Sequence, residues 1–308
     1  MKHLFIINPA AGSRDQTQDY TRKIREACEA AGLSYGIVVS EGPGDCARIS
    51  REAARIGEDV RIYACGGDGT LNEVASGAAG FPNAAVTHYA GGSGNDFVKI
   101  FSEPGAFFSL DRLLDAEETE FDMIRCNEDL ALNICSVGLD ARIGTDVANY
   151  KRLPFLQGFR AYAISTVVNV FRGIDDHYVV RVNGETIDGR KTMICVCNGR
   201  FYGGGFNPVP DADPADGLLE VLLVEKVSRL QIAGIVGKYK SGKYRDYPEL
   251  IRHVRAKELT IVCDAPAAVN LDGELRRAKQ IHMSVADEKL RFFYPRGLTW
   301  EAKTGANV

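Results

Sequence analysis

The sequence has no apolar run approaching the roughly 18 residues that a membrane-spanning helix needs. It contains no Cys-x-x-Cys pair, and none of its 5 histidines falls into a catalytic triad or a metal-ligand spacing. Zinc chemistry and histidine-centred nucleophilic catalysis are therefore poor fits. The chain also lacks a basic excess. Its formal net charge of -4 leaves no global field to attract a phosphate backbone, which argues against nucleic acid as a partner. No Gly-Lys-Ser/Thr occurs, so there is no Walker A loop. The N-terminal apolar stretch Leu4–Ile7 is too short for the centre of a secretory signal and runs straight into Asn8-Pro9. The 8 cysteines lie in apolar stretches and read as buried, reduced thiols of a cytosolic protein. Cys195 and Cys197 alternate along one strand and so face the same side.

What is present suits a two-part globular chain. A length of 308 residues accommodates roughly two domains of about 100–200 residues each. The first third alternates strand and helix signals: His3–Ile7, a helix from Asp19 to Ala31 stopped by Gly32, Tyr35–Val39, a helix over Asp45–Ile56 stopped by Gly57, Val60–Cys65, and a helix over Leu71–Ala79. Such alternation predicts a parallel sheet covered by helices, with ligands beyond the carboxyl ends of the strands. The loops at 8–14, 40–44, 66–70 and 91–96 should then share one edge. After about Asp122, short alternating segments dominate: Leu130–Cys135, His177–Val182, Met193–Asn198, Leu218–Val224, Leu259–Cys263, Ala267–Leu271 and Gln280–Val285. They predict a β-rich sandwich with helices near 158–172 and 228–240. The expected division is an α/β domain over 1–125 and a β-rich domain over 126–289, with 290–308 returning to the first.

Three polar turns carry the chemistry. Gly66-Gly67-Asp68-Gly69-Thr70 follows an apolar strand and opens a helix. Glycines let backbone N–H groups approach an anion, and a helix N-terminus adds partial positive charge. Thr70 could cap that helix or bond a phosphate oxygen. The turn does not fit Gly-x-Gly-x-x-Gly, because Asn72 stands at the third glycine position. Gly91-Gly92-Ser93-Gly94-Asn95-Asp96-Phe97 and Asn8-Pro9-Ala10-Ala11-Gly12-Ser13-Arg14 are the other two. On one sheet edge they make a nucleotide cradle. Later turns, Asp213-Pro214-Ala215-Asp216-Gly217-Leu218 and Asn270-Leu271-Asp272-Gly273-Glu274, read by themselves as a polar turn and a hairpin.

The order of these pieces resembles the diacylglycerol kinase catalytic family, especially its soluble bacterial lipid kinases. Sphingosine and ceramide kinases are more distant relatives, and the match spans nearly the whole chain. The resemblance implies a phosphofructokinase/NAD-kinase-like N-terminal domain, a β-rich C-terminal domain, and ATP in the cleft between them. It assigns the nucleotide site to Asn8, Pro9, Ala10, Ala11, Gly12, Ser40, Gly66, Gly67, Asp68, Gly69, Thr70, Leu71, Asn72 and Ser93. Ser40 and Ser93 stand where threonine is common in the family. A magnesium site is implied at the Asp216 carboxylate with the backbone carbonyls of Asp213 and Leu218, coupled through water to Asp96 and Asp122. Asp68 is the candidate for helping to hold the catalytic metal. Asp272 or Glu274 would accept the proton of the substrate hydroxyl.

The expected activity is transfer of the ATP γ-phosphate to a hydroxyl of a diacylglycerol-like membrane lipid. The alternatives are an NAD kinase-like enzyme and a non-catalytic, nucleotide-regulated lipid-binding protein. Between Lys226 and Lys257 basic residues crowd the chain, against Asp246 and Glu249 alone. That run suits either a solvated face or peripheral contact with anionic headgroups at the inner face of the membrane. Arg14 suits a phosphate contact or a surface position, and Tyr202-Gly203-Gly204-Gly205-Phe206 an acceptor-cleft wall or a packed turn. Nothing in the pattern fixes an oligomeric state; a dimer is compatible with it.

Overall fold

Runs that are apolar on every residue belong to strands covered on both faces, and the first sheet is built from them. The computed structural model describes residues 1–12, 14–143 and 175–300; the helix expected near 158–172, Ser13 and the tail 301–308 lie outside the described residues. Strands β1 (Lys2–Ile7), β2 (Tyr35–Val39), β3 (Val60–Gly66) and β4 (Ala84–Ala90) run parallel in the order β2-β1-β3-β4. Helices α1 (Thr17–Ala30), α2 (Asp45–Arg55) and α3 (Asp68–Ala78) make the crossovers. Gly32 and Gly57 follow the first two helices with φ of 63° and 82°, the left-handed turn that ends a helix without a Cβ clash. The short α4 (Leu110–Leu114) precedes β5 (Ala116–Phe121).

The second sheet comprises β6 (Ile124–Cys126), β7 (Asp129–Ala131), β8 (Ile134–Gly138), β9 (Asp176–Val182), β10 (Glu185–Cys197), β11 (Leu219–Glu225), β12 (Ile251–Ala256), β13 (Glu258–Leu271) and β14 (Glu274–Val285). Strands β8 and β9 lie end to end, both sandwiched between the long β10 and β13. Helix α5 (Arg229–Lys240) starts from a capping box of Ser228 and Gln231. All eight cysteines are buried free thiols, and the Cys195 and Cys197 sulfurs stand 3.5 Å apart on one face.

The final strand, β15 (Leu290–Pro295), leaves the second sheet and inserts between β4 and β5 of the first. It is parallel to β4 and antiparallel to β5. Phe292 and Phe293 are fully buried there. Phe292 packs against Phe97, Phe101, Phe107 and Phe121, and Trp300 closes on Phe101 and Phe121. Aromatic side chains of this size dominate a core's energetics, so the insertion welds the chain's end to its beginning.

Three local expectations change. The helix after the glycine turn begins at Asp68, not Leu71, so Asp68, Gly69 and Thr70 form its first turn. The expected strand Leu130–Cys135 is broken at Leu132-Asn133 into β7 and β8. The two expected strands at 259–263 and 267–271 are one strand, β13, whose register shifts between Val262 and Ala267. Pro266 lies in that interval and cannot donate to a ladder, which is why the pattern reads as two pieces.

Candidate active site

The carboxyl ends of the parallel strands are stitched together through one carbonyl. Gly66 O at the end of β3 accepts Gly91 N (2.8 Å), Gly92 N (3.1 Å) and the ring nitrogen Nε2 of buried His88 (2.9 Å). The glycine turns then touch backbone to backbone. A Cβ on Gly92 would stand 2.5 Å from Gly67 Cα, and one on Gly66 2.4 Å from Thr70 Oγ1. Only glycine permits this approach. Gly67, the N-cap of α3, provides no side-chain cap, so first-turn amides of an 11-residue helix keep their donors for an anion.

The Asn8 turn closes the cradle. Asn8 Nδ2 donates to Thr70 Oγ1 at 3.0 Å, and Asn8 Oδ1 accepts Ala10 N at 3.0 Å. Thr70 is therefore a buried brace between two turns and does not cap its helix. Gln16 Nε2 donates to Gly91 O at 3.1 Å, tying the third turn in. Pro9 and Ala11 are half-buried, Ala10 and Gly12 exposed, and Gly12 takes φ 83°. Buried Ser40 follows β2 directly, its N–H donating to Ile7 O. Ser93 sits exposed at the lip, and Leu71 packs inward. Arg14 faces away, paired with Asp19 at 3.5 Å on α1. Glu73, which sequence reasoning passed over, accepts Gly44 N (3.0 Å) and Cys46 N (3.1 Å) and so anchors the start of α2.

The second sheet reaches this edge through Asp272. It occupies a left-handed position, φ 50°, at the end of β13. Its Oδ2 accepts Leu132 N and Asn133 N, each at 2.8 Å, and its Oδ1 accepts Ile134 N at 2.7 Å. These three bonds break the expected strand at 132–133. They take three of about four acceptor positions on the carboxylate. Asn72 Oδ1, from α3, also accepts Leu132 N, at 3.1 Å. Buried Asn198 donates to the carbonyls of Leu132 (2.7 Å) and Asp122 (2.8 Å). One hydrogen-bonded knot thus joins the glycine turn's helix to the β-rich part.

Burial pushes Asp272 up to about 7, against the lowering pull of its three amides, and the charge of Asp68 raises it further. Asp272 thus lies within electrostatic reach of Asp68, the first residue of α3. Asp68 is itself raised, first by burial and then by the charge of Asp96. Glu274 stands apart: it is 39% exposed and paired with Arg276 at 3.0 Å.

Two family profiles cover this architecture in sequence. The diacylglycerol kinase catalytic domain matches residues 2–126, and the YegS C-terminal NAD kinase beta sandwich-like domain matches residues 133–294. The chain belongs to the two-domain family that pairs a diacylglycerol kinase catalytic domain with a YegS C-terminal domain. A protein named "Putative lipid kinase SaurJH9_0749", from Staphylococcus aureus (strain JH9), is 28% identical over 254 residues, covering 81% of this chain and 83% of that protein. A "Putative lipid kinase" of Staphylococcus carnosus (strain TM300) is 25% identical over 281 residues, covering 89% of each. The crystal structure of "a putative diacylglycerol kinase from Bacillus anthracis str. Sterne" superposes with a TM-score of 0.73 at 21% identity, covering 95% of this chain and 96% of that one, and shares the fold.

Within this family frame, Asp96, Asp122 and Asp216 are each answered by a cation of the chain. Asp96 N donates to Asp68 Oδ1, while the Asp96 carboxylate accepts Lys99 Nζ (2.5 Å) and Gly204 N (2.7 Å) from the Tyr202–Phe206 turn. That turn is closed on itself by Tyr202 and Phe206 backbone bonds at 2.9 and 2.8 Å. Asp122, only 2% exposed, pairs with Lys289 and accepts Gly217 N at 2.8 Å. Asp216 Oδ1 accepts Leu218 N at 3.0 Å, and Oδ2 pairs with the Arg255 guanidinium. The Asp213 carbonyl accepts Asp216 N at 3.4 Å and its carboxylate Ala215 N at 3.0 Å. Burial raises Asp216 against the pull of Leu218 N–H and Arg255.

The fit to the implied ligands is uneven. The glycine cradle suits a triphosphate, and Asp68 at its mouth suits a hard cation carried with one. The Asp213–Leu218 turn fits a cation less well, because one Asp216 oxygen accepts Leu218 N and the other is paired with the Arg255 guanidinium. Lys99 follows Asp96 by three residues and was in principle visible in the sequence. Lys289 and Arg255 lie 167 and 39 positions from their acids, and no local signal could have paired them.

The basic run at 226–257 is likewise divided. Lys238 pairs with Asp246, Arg245 with Asp211, Arg252 with Glu185, and Arg255 with Asp216 and Glu220. Part of the run forms β12, which sequence reading missed. Among the described residues, no helix is long and apolar enough to cross a membrane.

Proposed function

We propose that this protein is an ATP- and magnesium-dependent lipid kinase that phosphorylates a hydroxyl of a diacylglycerol-like membrane lipid, giving a phosphatidate-like product. The observation that carries the reading is the hydrogen-bonded junction in which Asp272, from the second sheet, and Asn72, from the helix that the glycine turn opens, both accept Leu132 N. Phosphoryl transfer asks for positioned phosphates, a neutralised charge and a late proton acceptor, all within reach of one another. A magnesium ion held by Asp68 would supply positive charge against the phosphate oxygens.

The chain's residues supply the rest. Amides of Gly66, Gly67 and the first turn of α3 hold the phosphates, while Asn8 and Thr70 keep the turns together. Asp68 would hold a nucleotide-borne cation. Asp272 takes the proton of the lipid hydroxyl, since a group poised near 7 is about half ionised at neutrality. Its fourth acceptor position and its remaining solvent-facing surface are open to that hydroxyl. Glu274 is too exposed and too engaged with Arg276 for this task.

In this reading residues 1–125 with β15 form the nucleotide part, and 126–289 carry the acceptor site. The enzyme meets its lipid from the cytoplasmic water side, with basic residues of 226–257 against anionic headgroups. ATP turnover with diacylglycerol in mixed micelles tests the proposal: a lipid-dependent phosphate transfer is expected. Tight binding of ATP and lipid without transfer, under varied divalent metals, would favour a non-catalytic lipid-binding protein.

A further inference from the structure

The Asp213–Leu218 turn is held from two sides by groups that are all part of the chain. On one side Asp122 N donates to Pro214 O at 2.7 Å, and Asp122 Oδ2 accepts Gly217 N at 2.8 Å. On the other side stands Arg255, on β12. Its Nε donates to Glu220 Oε1 at 2.9 Å, and its Nη2 to Asp216 Oδ2. Glu220 lies opposite Arg255 in the β11–β12 register, with its side chain only 5% exposed, and its second oxygen pairs with His253.

We infer that Arg255 does the work of a bound cation at this turn, so that the turn keeps its shape without a divalent metal. A guanidinium presents fixed donors in a fork, and here the fork spans two carboxylates that a metal would otherwise have to neutralise. The same solution recurs along the seam. Lys99 answers Asp96 and Lys289 answers Asp122, so each acid of the expected magnesium network already has its own positive charge. Asp68, at the nucleotide edge, has no lysine or arginine ion pair among the described residues. An added dication at Asp216 would have to displace the Arg255 Nη2 that now holds Asp216 Oδ2.

The test uses the full chain, magnesium chloride alone and no nucleotide, so it is independent of any kinase activity. Thermal unfolding is followed in EDTA and in excess magnesium at matched ionic strength. Wild type is expected to show the same melting temperature in both. Arg255→Met is expected to melt lower in EDTA and to recover most of that loss in magnesium, and adding Asp216→Asn is expected to abolish the recovery. If Arg255→Met fails to fold, Arg255→Lys carries the test. It keeps the charge but cannot span both acids, and a smaller magnesium-dependent rise that needs Asp216 is expected. A magnesium-dependent rise in wild type that Asp216→Asn removes would overturn the inference. So would an Arg255 variant that folds, melts lower and gains nothing from magnesium.

Discussion

Replacing Asp272 by asparagine separates two roles that its geometry combines. The backbone there is left-handed, φ 50°, a conformation asparagine also tolerates, so the turn should survive. The carboxylate accepts three backbone N–H groups. An amide has one oxygen, so its NH2 must face at least one of those donors, at a cost of about 1–3 kcal/mol. Against this runs the titration of the native carboxyl. Its pKa rises from 3.8 to about 7 on folding. The folded state thus holds the proton more tightly than the unfolded chain, and wild-type stability falls as pH rises from about 4 to about 7 and levels off on either side. Each unit is worth about 1.4 kcal/mol. Between about pH 5 and pH 8 wild type should lose up to about 3 kcal/mol that Asp272→Asn does not lose.

Thermal melts of both proteins across that range should therefore converge or cross, the gap changing by several degrees at roughly 2–4 °C per kcal/mol. Parallel curves would refute the raised pKa. In parallel, lipid-phosphorylating turnover should fall by about 10²–10⁴ in Asp272→Asn at about pH 8, the range for loss of a general base. Wild-type kcat/KM should rise with pH to a plateau above about 7. Activity in the variant within about tenfold of wild type would remove Asp272 from the proton path.

Glu274→Gln should leave turnover within about tenfold of wild type, because the side chain is exposed and paired with Arg276; a loss as large as that of Asp272→Asn would exchange their roles. Gly92→Ala places a Cβ 2.5 Å from Gly67 Cα, so the turns must part. ATP affinity measured by calorimetry should fall more than about tenfold, with about 1–3 kcal/mol of stability lost to overpacking. Asn198→Ala strips a donor from the carbonyls of Asp122 and Leu132 and should cost about 1–3 kcal/mol in denaturant unfolding.

Much of the parallel sheet was readable because its signals are local. Buried runs such as Phe5-Ile6-Ile7 alternate with helices, and glycines with positive φ stop the first two helices. The glycine turns were readable for the same reason, since close backbone approach demands that residue. What escaped depends on distant partners. The return of the segment after 290 to the first domain was expected, but its slot between β4 and β5 was not, because its aromatic contacts lie some 170–195 positions earlier. The break at Leu132-Asn133 is imposed by Asp272 from 138–140 positions away. The family resemblance tied the acids at 96, 122 and 216 into one metal network, whereas the cations that answer two of them lie far along the chain.

The central claim is phosphate transfer from ATP to a lipid hydroxyl, and one assay meets it directly. Purified protein, γ-radiolabelled ATP and magnesium are incubated with extracted membrane lipids, and in a matched reaction with NAD. The account predicts label in the lipid fraction, on a phosphatidate-like product, and none on NAD. Label on NAD with none in the lipids would contradict it.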